Sequence, residues 1–381
     1  MTLAEQKDAA AKEIVRRRDE LIALSHRLHD DPEIAFREDR ASAALADALE
    51  EAGFAVQRGV AGLPTAFVAE FGTSETTIAI CCEYDALPRL GHACGHNVIA
   101  ASGLGGALGL AVVAAEAGIR VLVVGCPAEE RGGGKILLAR AGVFDGVTAA
   151  MMVHPHRHFC VDFTSYALDD LEIEFIDRRG QVSAAAPSLV ADAVSGMALT
   201  AIGFLRQEIS PRSRLFARIG NGDPDGLAPL ERSVLQVRWL CDTIEEQDQV
   251  LAAVRERCSA VATACGFDVQ IREGHPRYAP VVTAPGLAAA FAANGLALGF
   301  GDPIAPPAHA ATDMGNVSRV VPTVHAVVPA LPHDGPLPHS AAFAEAMVAP
   351  RADETIIRAA TALAWTALDA AADPAIVTQS A

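Results

Sequence analysis

A short apolar run, Thr77-Ile78-Ala79-Ile80, feeds into Glu83-Tyr84-Asp85-Ala86-Leu87-Pro88-Arg89-Leu90-Gly91-His92-Ala93-Cys94-Gly95-His96, and a long Ala/Gly-rich helical segment follows. Carboxylates, imidazoles and a thiol mounted between a strand and a helix point to an open α/β sheet. In such sheets ligands collect past the carboxyl ends of the strands, on loops held by a rigid support. Cys94 and His96 stand two apart and reach one centre only through a tight turn, which Gly95 permits. That spacing alone is weak evidence for a metal, so its weight depends on donors elsewhere in the chain.

Such donors follow further apolar runs. Residues 119–124, apolar apart from Arg120, read as a central parallel strand that ends at Gly125-Cys126-Pro127-Ala128-Glu129-Glu130-Arg131, with glycines at 132, 133 and 134. Residues 149–153 read as a short strand ending at His154-Pro155-His156. Three strands thus deliver metal-type side chains at their carboxyl ends, and this convergence strengthens the weak motif. Around them the periodicity predicts a helix over 4–30 with Leu21, Leu24 and Leu28 on one face. It also predicts a helix over 40–52 stopped by Gly53, strands at 64–71 and 77–82, and a helix over 97–117 ended by Gly118. The alternation predicts a mainly parallel sheet covered by helices on both faces.

From 167 to 276 the rhythm becomes strand, helix, strand, strand, helix, strand, the order of a ferredoxin-like α+β module. The predicted division is a catalytic domain in two parts, 1–166 and 277–381, with 167–276 inserted as a lid and dimerisation domain. After the insertion, 320–328 reads as a strand and 341–372 as one Ala-rich helix.

Of the 381 residues, 51% are hydrophobic and 20% charged, which sets the chain apart from disordered sequences. A formal charge of -17 with no basic run argues against nucleic acid and anionic membrane surfaces as partners. The first residues lack the apolar core of a secretory signal, and the apolar region 98–126 is interrupted by Glu116 and Arg120. Eight cysteines then read as reduced thiols of a cytoplasmic protein, buried as small hydrophobes except for Cys94.

The candidate site residues are Asp85, Cys94, His96, Glu129, Glu130, His154 and His339. A pair of divalent ions needs about five or six protein donors, with positions left open for water and substrate. One thiolate, three imidazoles and one carboxylate supply that set and leave the other Glu of the adjacent pair to move protons. The thiolate leans towards zinc, whereas carboxylate and imidazole also admit manganese or cobalt.

Several segments together resemble the M20 metallopeptidase family, in its amidohydrolase branch. They are Glu83-Tyr84-Asp85-Ala86-Leu87-Pro88, Gly91-His92-Ala93-Cys94-Gly95-His96-Asn97, Pro127-Ala128-Glu129-Glu130 and Met151-Met152-Val153-His154-Pro155. His26-Arg27-Leu28-His29 with Pro32-Glu33 and Glu38 is similar to that branch's N-terminal signature. Thr312-Asp313-Met314-Gly315-Asn316-Val317-Ser318, with Val321-Pro322 after it, is similar to the subgroup of aminobenzoyl-glutamate hydrolases and Xaa-Arg-type dipeptidases.

The resemblance implies that Cys94, His96, Glu130, His154 and His339 bind two divalent metal ions, that Glu129 is the general base and acid, and that Asp85 orients a ligand. Asp313 and Asn316 are then expected to bind substrate. His339 is preferred over His333 because an Ala-rich helix follows it directly. The implied reaction is hydrolysis of an amide bond in a small N-acyl amino acid, dipeptide or aryl-amide, by a homodimer formed through the inserted domain.

The sequence departs from the family's pattern in that domain. A Gly-x-x-x-His-Ala motif, whose His reaches across a dimer to the substrate carbonyl, is replaced by Gly180-Gln181-Val182-Ser183-Ala184-Ala185-Ala186-Pro187. An Asn-x-x-Pro appears as Gly226-Leu227-Ala228-Pro229. Arg178, Arg179 and Ser183 are candidate replacements. The departure keeps two alternatives open: hydrolytic deamination of an aromatic amine on the same metal site, and a catalytically silent binding protein. Among the other histidines, His92 is read as an outer partner of the site or as structural, and His325 as a satisfied core histidine.

Overall fold

A computed structural model describes residues 1–178, 190–220, 232–305 and 310–377. Its contacts divide the chain into two compact units. One comprises Met1–Thr164, Val281–Ala308 and Thr312–Ala381, the other Ser165–Pro280 with His309–Ala311.

The larger unit opens with α1 (Leu3–Arg16), α2 (Arg18–Asp30) and α3 (Asp39–Glu51). The single helix expected over 4–30 is therefore two, which meet at Arg17. A strand with no sequence signal, β1 (Ala55–Arg58), pairs antiparallel with β2 (Phe67–Phe71). Then come β3 (Thr77–Glu83), α4 (His96–Ala111), the short α5 (Ala114–Ala117), β4 (Arg120–Cys126), α6 (Gly134–Arg140) and β5 (Ala149–His156).

The smaller unit contributes β6 (Ala167–Asp177), α7 (Val190–Leu205), β7 (Arg214–Ile219), β8 (Arg232–Cys241), α8 (Ile244–Cys265) and β9 (Phe267–Glu273). Its four strands are antiparallel in the order β7-β8-β6-β9, the ferredoxin-like arrangement. Alternation along β6 buries Leu171, Ile173 and Phe175 on the face that the helices cover.

The larger unit closes with α9 (Pro285–Ala297), α10 (Met314–Val317), β10 (Thr323–Pro329), α11 (Ala341–Ala346) and α12 (Pro350–Ala372). The long helix expected over 341–372 is broken because Pro350 has no N–H to continue a helix, and it opens α12 instead.

The larger sheet has the order β1-β2-β4-β3-β5-β10. Strands β4, β3, β5 and β10 run parallel, and β1 and β2 add an antiparallel edge, so β4 is parallel on one side only. Both faces are buried. Ile78, Ile80 and Cys82 of β3 face a core built with α1, α2, α4 and α12, whereas Ala79 and Cys81 face a second core with Leu138, Met314 and Val317.

Helix α4 is buried almost all round, which explains its Ala/Gly composition. A Cβ on Gly103 would stand 2.4 Å from Cys82 Sγ, and one on Gly109 2.7 Å from Ile14 Cδ1. Only glycine lets this helix lie so close to β3 and α1, and its first residue is His96. Among the described residues, no helix is long and apolar enough to cross a membrane.

Candidate active site

The loop from β3 to α4 turns at Gly95, whose φ of 83° is left-handed and open to glycine at little cost. A Cβ there would also lie 2.5 Å from Pro155 Cγ. The turn brings Cys94 Sγ to 3.4 Å from His154 Nε2. His154 lies within β5, which continues three residues past the strand end expected at Val153.

Asp85 links two of the donors. Its Oδ1 is 3.0 Å from His96 Nδ1, and its Oδ2 accepts the backbone N–H of Glu130 at 2.9 Å. With Nδ1 donating to that carboxylate, Nε2 of His96 presents its lone pair to the cluster. His154 is held the same way, with Nδ1 3.1 Å from the carbonyl of Pro155.

Among the described residues, four groups of side chains can hold a metal ion, each with donor atoms within 4.8 Å of one another. Cys94, His96 and His154 form one, and Cys94, Glu130 and His339 another, so the thiol is common to both. A third is His96, Glu129 and Glu130, and a fourth Glu83, Glu129 and Asp313. His339 arrives on the loop before α11, tied by its N–H to the carbonyl of Ala93 at 2.8 Å. Its Nε2 is 3.6 Å from Glu130 Oε1, and His333 belongs to none of the groups.

The donor set fits divalent cations. His96 Nε2 and Glu130 Oε1 are buried without a hydrogen-bond partner, which is costly unless a cation completes them. Burial pushes the Cys94 thiol well up, with Glu130 adding to the effect. Burial disfavours charge on the His96 ring, yet the Asp85 carboxylate 3.0 Å away outweighs it and raises its pKa. Positive charge is favoured here, and a metal supplies it. Glu129 is 8% exposed, and burial, then Glu83, Glu130 and Asp313, raise its proton affinity.

The residues of the N-terminal signature brace this site. Glu33 Oε2 accepts the N–H groups of Arg40 and Ala41 at the start of α3, both at 2.8 Å. Glu38 Oε1 accepts the N–H of Ala128 at 2.8 Å and its Oε2 the hydroxyl of Thr65 at 2.8 Å. Glu38 thereby fixes Ala128, which has a left-handed φ of 59°, just before the glutamate pair.

Asp313, expected to bind substrate, is fully buried and turned inward: its Oδ2 accepts the N–H of Lys135 at 2.8 Å and its Oδ1 the Lys135 ammonium. It presents no surface to a substrate. Asn316 is half-buried in α10. His92 is buried, and burial lowers its pKa to about 3. His325 is buried between His154 and Phe163, but neither ring nitrogen has a hydrogen-bond partner, so it is not the satisfied core histidine expected. Segments 180–187 and 226–229, with Arg179 and Ser183, lie outside the described residues. Arg178 is described and pairs with Asp268 at 2.7 Å.

Sequence reasoning gave no role to Glu83 and Lys135. The available signals were a carboxylate ending an otherwise apolar strand and a lone cation opening the apolar run Ile136-Leu137-Leu138.

Imidazole, thiol and carboxylate donors at the carboxyl ends of parallel strands define a class, the metal-dependent hydrolases. Comparison with known proteins makes this specific. The chain is 35% identical to the mouse Xaa-Arg dipeptidase over 395 residues, covering 97% of this chain and 90% of that protein. It is 33% identical over 228 residues to a component of the p-aminobenzoyl-glutamate hydrolase of Escherichia coli, covering 54% of this chain and 47% of that one. A dinuclear metal-binding peptidase of the M20 family from Bacillus subtilis shares the fold with a TM-score of 0.67 at 21% identity, covering 92% of this chain and 98% of its own. No protein-family model matches. The chain belongs to the M20 family of metallopeptidases, in its amidohydrolase branch, and is a metal-dependent amidohydrolase.

Proposed function

We propose that this enzyme hydrolyses the amide bond of a small N-acyl amino acid, dipeptide or aryl-amide at a centre of two divalent ions, which Cys94, His96, Glu130, His154 and His339 would hold. The observation that carries the reading is the pair of donor groups with Cys94 in common, Cys94–His96–His154 and Cys94–Glu130–His339, joined behind by Asp85. Divalent ions held there would supply Lewis acidity for a carbonyl and for water. The remaining chemistry belongs to the protein. Glu129 takes a proton from the attacking water and returns it to the leaving nitrogen, a task suited to a carboxylate whose proton affinity burial has raised. Asp85 keeps His96 Nε2 and the Glu130 backbone in place. Asp313 acts from behind through Lys135.

A dipeptide is the first substrate to test, because a relative matched over nearly the whole chain is named for dipeptides. The thiolate favours zinc, with manganese or cobalt accepted by the other donors. The described cysteines are unpaired, which fits a reducing, cytoplasmic setting. A homodimer through the smaller unit is supported by Met197 and Phe204 exposed on α7, and by β7, an edge strand with Phe216 and Ile219 exposed.

The test is hydrolysis of dipeptides, N-acyl amino acids and aromatic amides by metal-depleted protein resupplied with zinc, manganese or cobalt. The expected outcome is metal-dependent release of a free amine from an amide. Stoichiometric metal binding with release of ammonia from an aromatic amine, and no amide turnover, would favour deamination instead.

A further inference from the structure

One of the four groups contains neither thiol nor imidazole. Oxygens of Glu83, Glu129 and Asp313 lie within 4.8 Å of one another, and all three side chains are buried. Three carboxylate oxygens so close are what a hard divalent cation takes as ligands. Left alone, they would repel one another strongly in a medium that screens charge poorly.

A cation of the chain's own lies in the cluster. Lys135 Nζ is 2.5 Å from Glu83 Oε1 and in contact with Asp313 Oδ1, and the Lys135 side chain is 0% exposed. The Lys135 N–H donates to Asp313 Oδ2 at 2.8 Å, so one aspartate grips both the backbone and the side chain of this residue. Gly134 allows the approach: a Cβ there would meet the Pro127 carbonyl oxygen at 1.9 Å. The ammonium remains protonated despite burial, held by Asp313 and Glu83 and, more weakly, by Glu129. His96 Nε2 is 3.4 Å from Glu83 Oε2, so this cluster adjoins the proposed ligands.

We propose that the Lys135 ammonium is a built-in cation that fills the Glu83–Glu129–Asp313 cluster and keeps metal out of it, so that Glu129 serves as proton carrier rather than as metal ligand. The last clause rests on the role given to Glu129 above; the filling of the cluster does not. Lys135 is on this account a positioning residue that confines metal to the donor groups around Cys94.

The experiment counts metal per chain. Wild type, Lys135→Ala and Lys135→Ala/Glu83→Gln are equilibrated with Mn²⁺, passed through a desalting column and assayed by plasma mass spectrometry. Lys135→Ala is expected to carry one equivalent more than wild type, and the double variant to lose it. Equal metal content in wild type and Lys135→Ala overturns the proposal, as does an extra equivalent that persists in the double variant. If metal-free Lys135→Ala is unfolded, Mn²⁺ is expected to restore its far-ultraviolet circular dichroism, and failure to do so at millimolar metal also overturns it. Wild type without bound metal would sink the metal-centre reading instead, and the difference between variant and wild type would still decide this one.

Discussion

Glu129 and Glu130 are chain neighbours with different surroundings. The backbone N–H of Glu130 is fixed by Asp85, and its carboxylate meets His339 and Cys94. Glu129 faces Glu83, Asp313 and His96. Glu129→Gln is therefore expected to lower kcat by about 10²- to 10⁴-fold, the usual worth of a general acid–base, with metal content unchanged. Loss of metal along with activity would instead make Glu129 a ligand. Asp85→Ala removes the partner of His96 Nδ1 and of the Glu130 N–H together. Metal affinity is expected to fall by about 10- to 100-fold, as read by competition with a chromogenic chelator; an unchanged affinity would leave Asp85 without the orienting role.

At the scale of elements, contacts between segments distant in sequence brace the site. Glu38, just before α3, holds Ala128 and Thr65. Burial, with the charge of Asp85 added, pushes the Glu38 carboxyl up to about 7 from an ordinary 4.5. The folded protein thus holds this proton more tightly than the unfolded chain. The resulting stabilisation is full below the unfolded value and is lost as pH rises through about 7. Glu38→Gln mimics the protonated form with the same shape, so relative to wild type the variant is expected to gain stability between about pH 5 and 8. Urea titrations across that range check it, and parallel curves would show that Glu38 does not titrate there.

At the scale of the whole molecule, the smaller unit has a hydrophobic core of its own, in addition to the two on the faces of the larger unit's sheet. Exposed apolar side chains on α7 and the open edge of β7 leave the smaller unit with surface suited to a second copy. Wild type is expected to elute from gel filtration as a dimer and Phe204→Glu/Phe216→Glu as a monomer; a monomeric wild type would remove the dimer from the reading.

The sequence by itself determined the order of elements, because helical and strand periodicity and turn glycines act over a few residues. It also showed the donor types at the strand ends, since Cys94, His96, Glu130 and His154 each follow or end an apolar run. It did not show the break between α1 and α2 at Arg17, the strand β1 or the inward turn of Asp313. Only the tertiary structure decided those. Lys135 and Asp313 lie 178 residues apart, and whether a charged side chain faces solvent, substrate or a buried partner depends on what packs around it. Burial of a charge is a property of the neighbours that exclude water, and local sequence does not encode them.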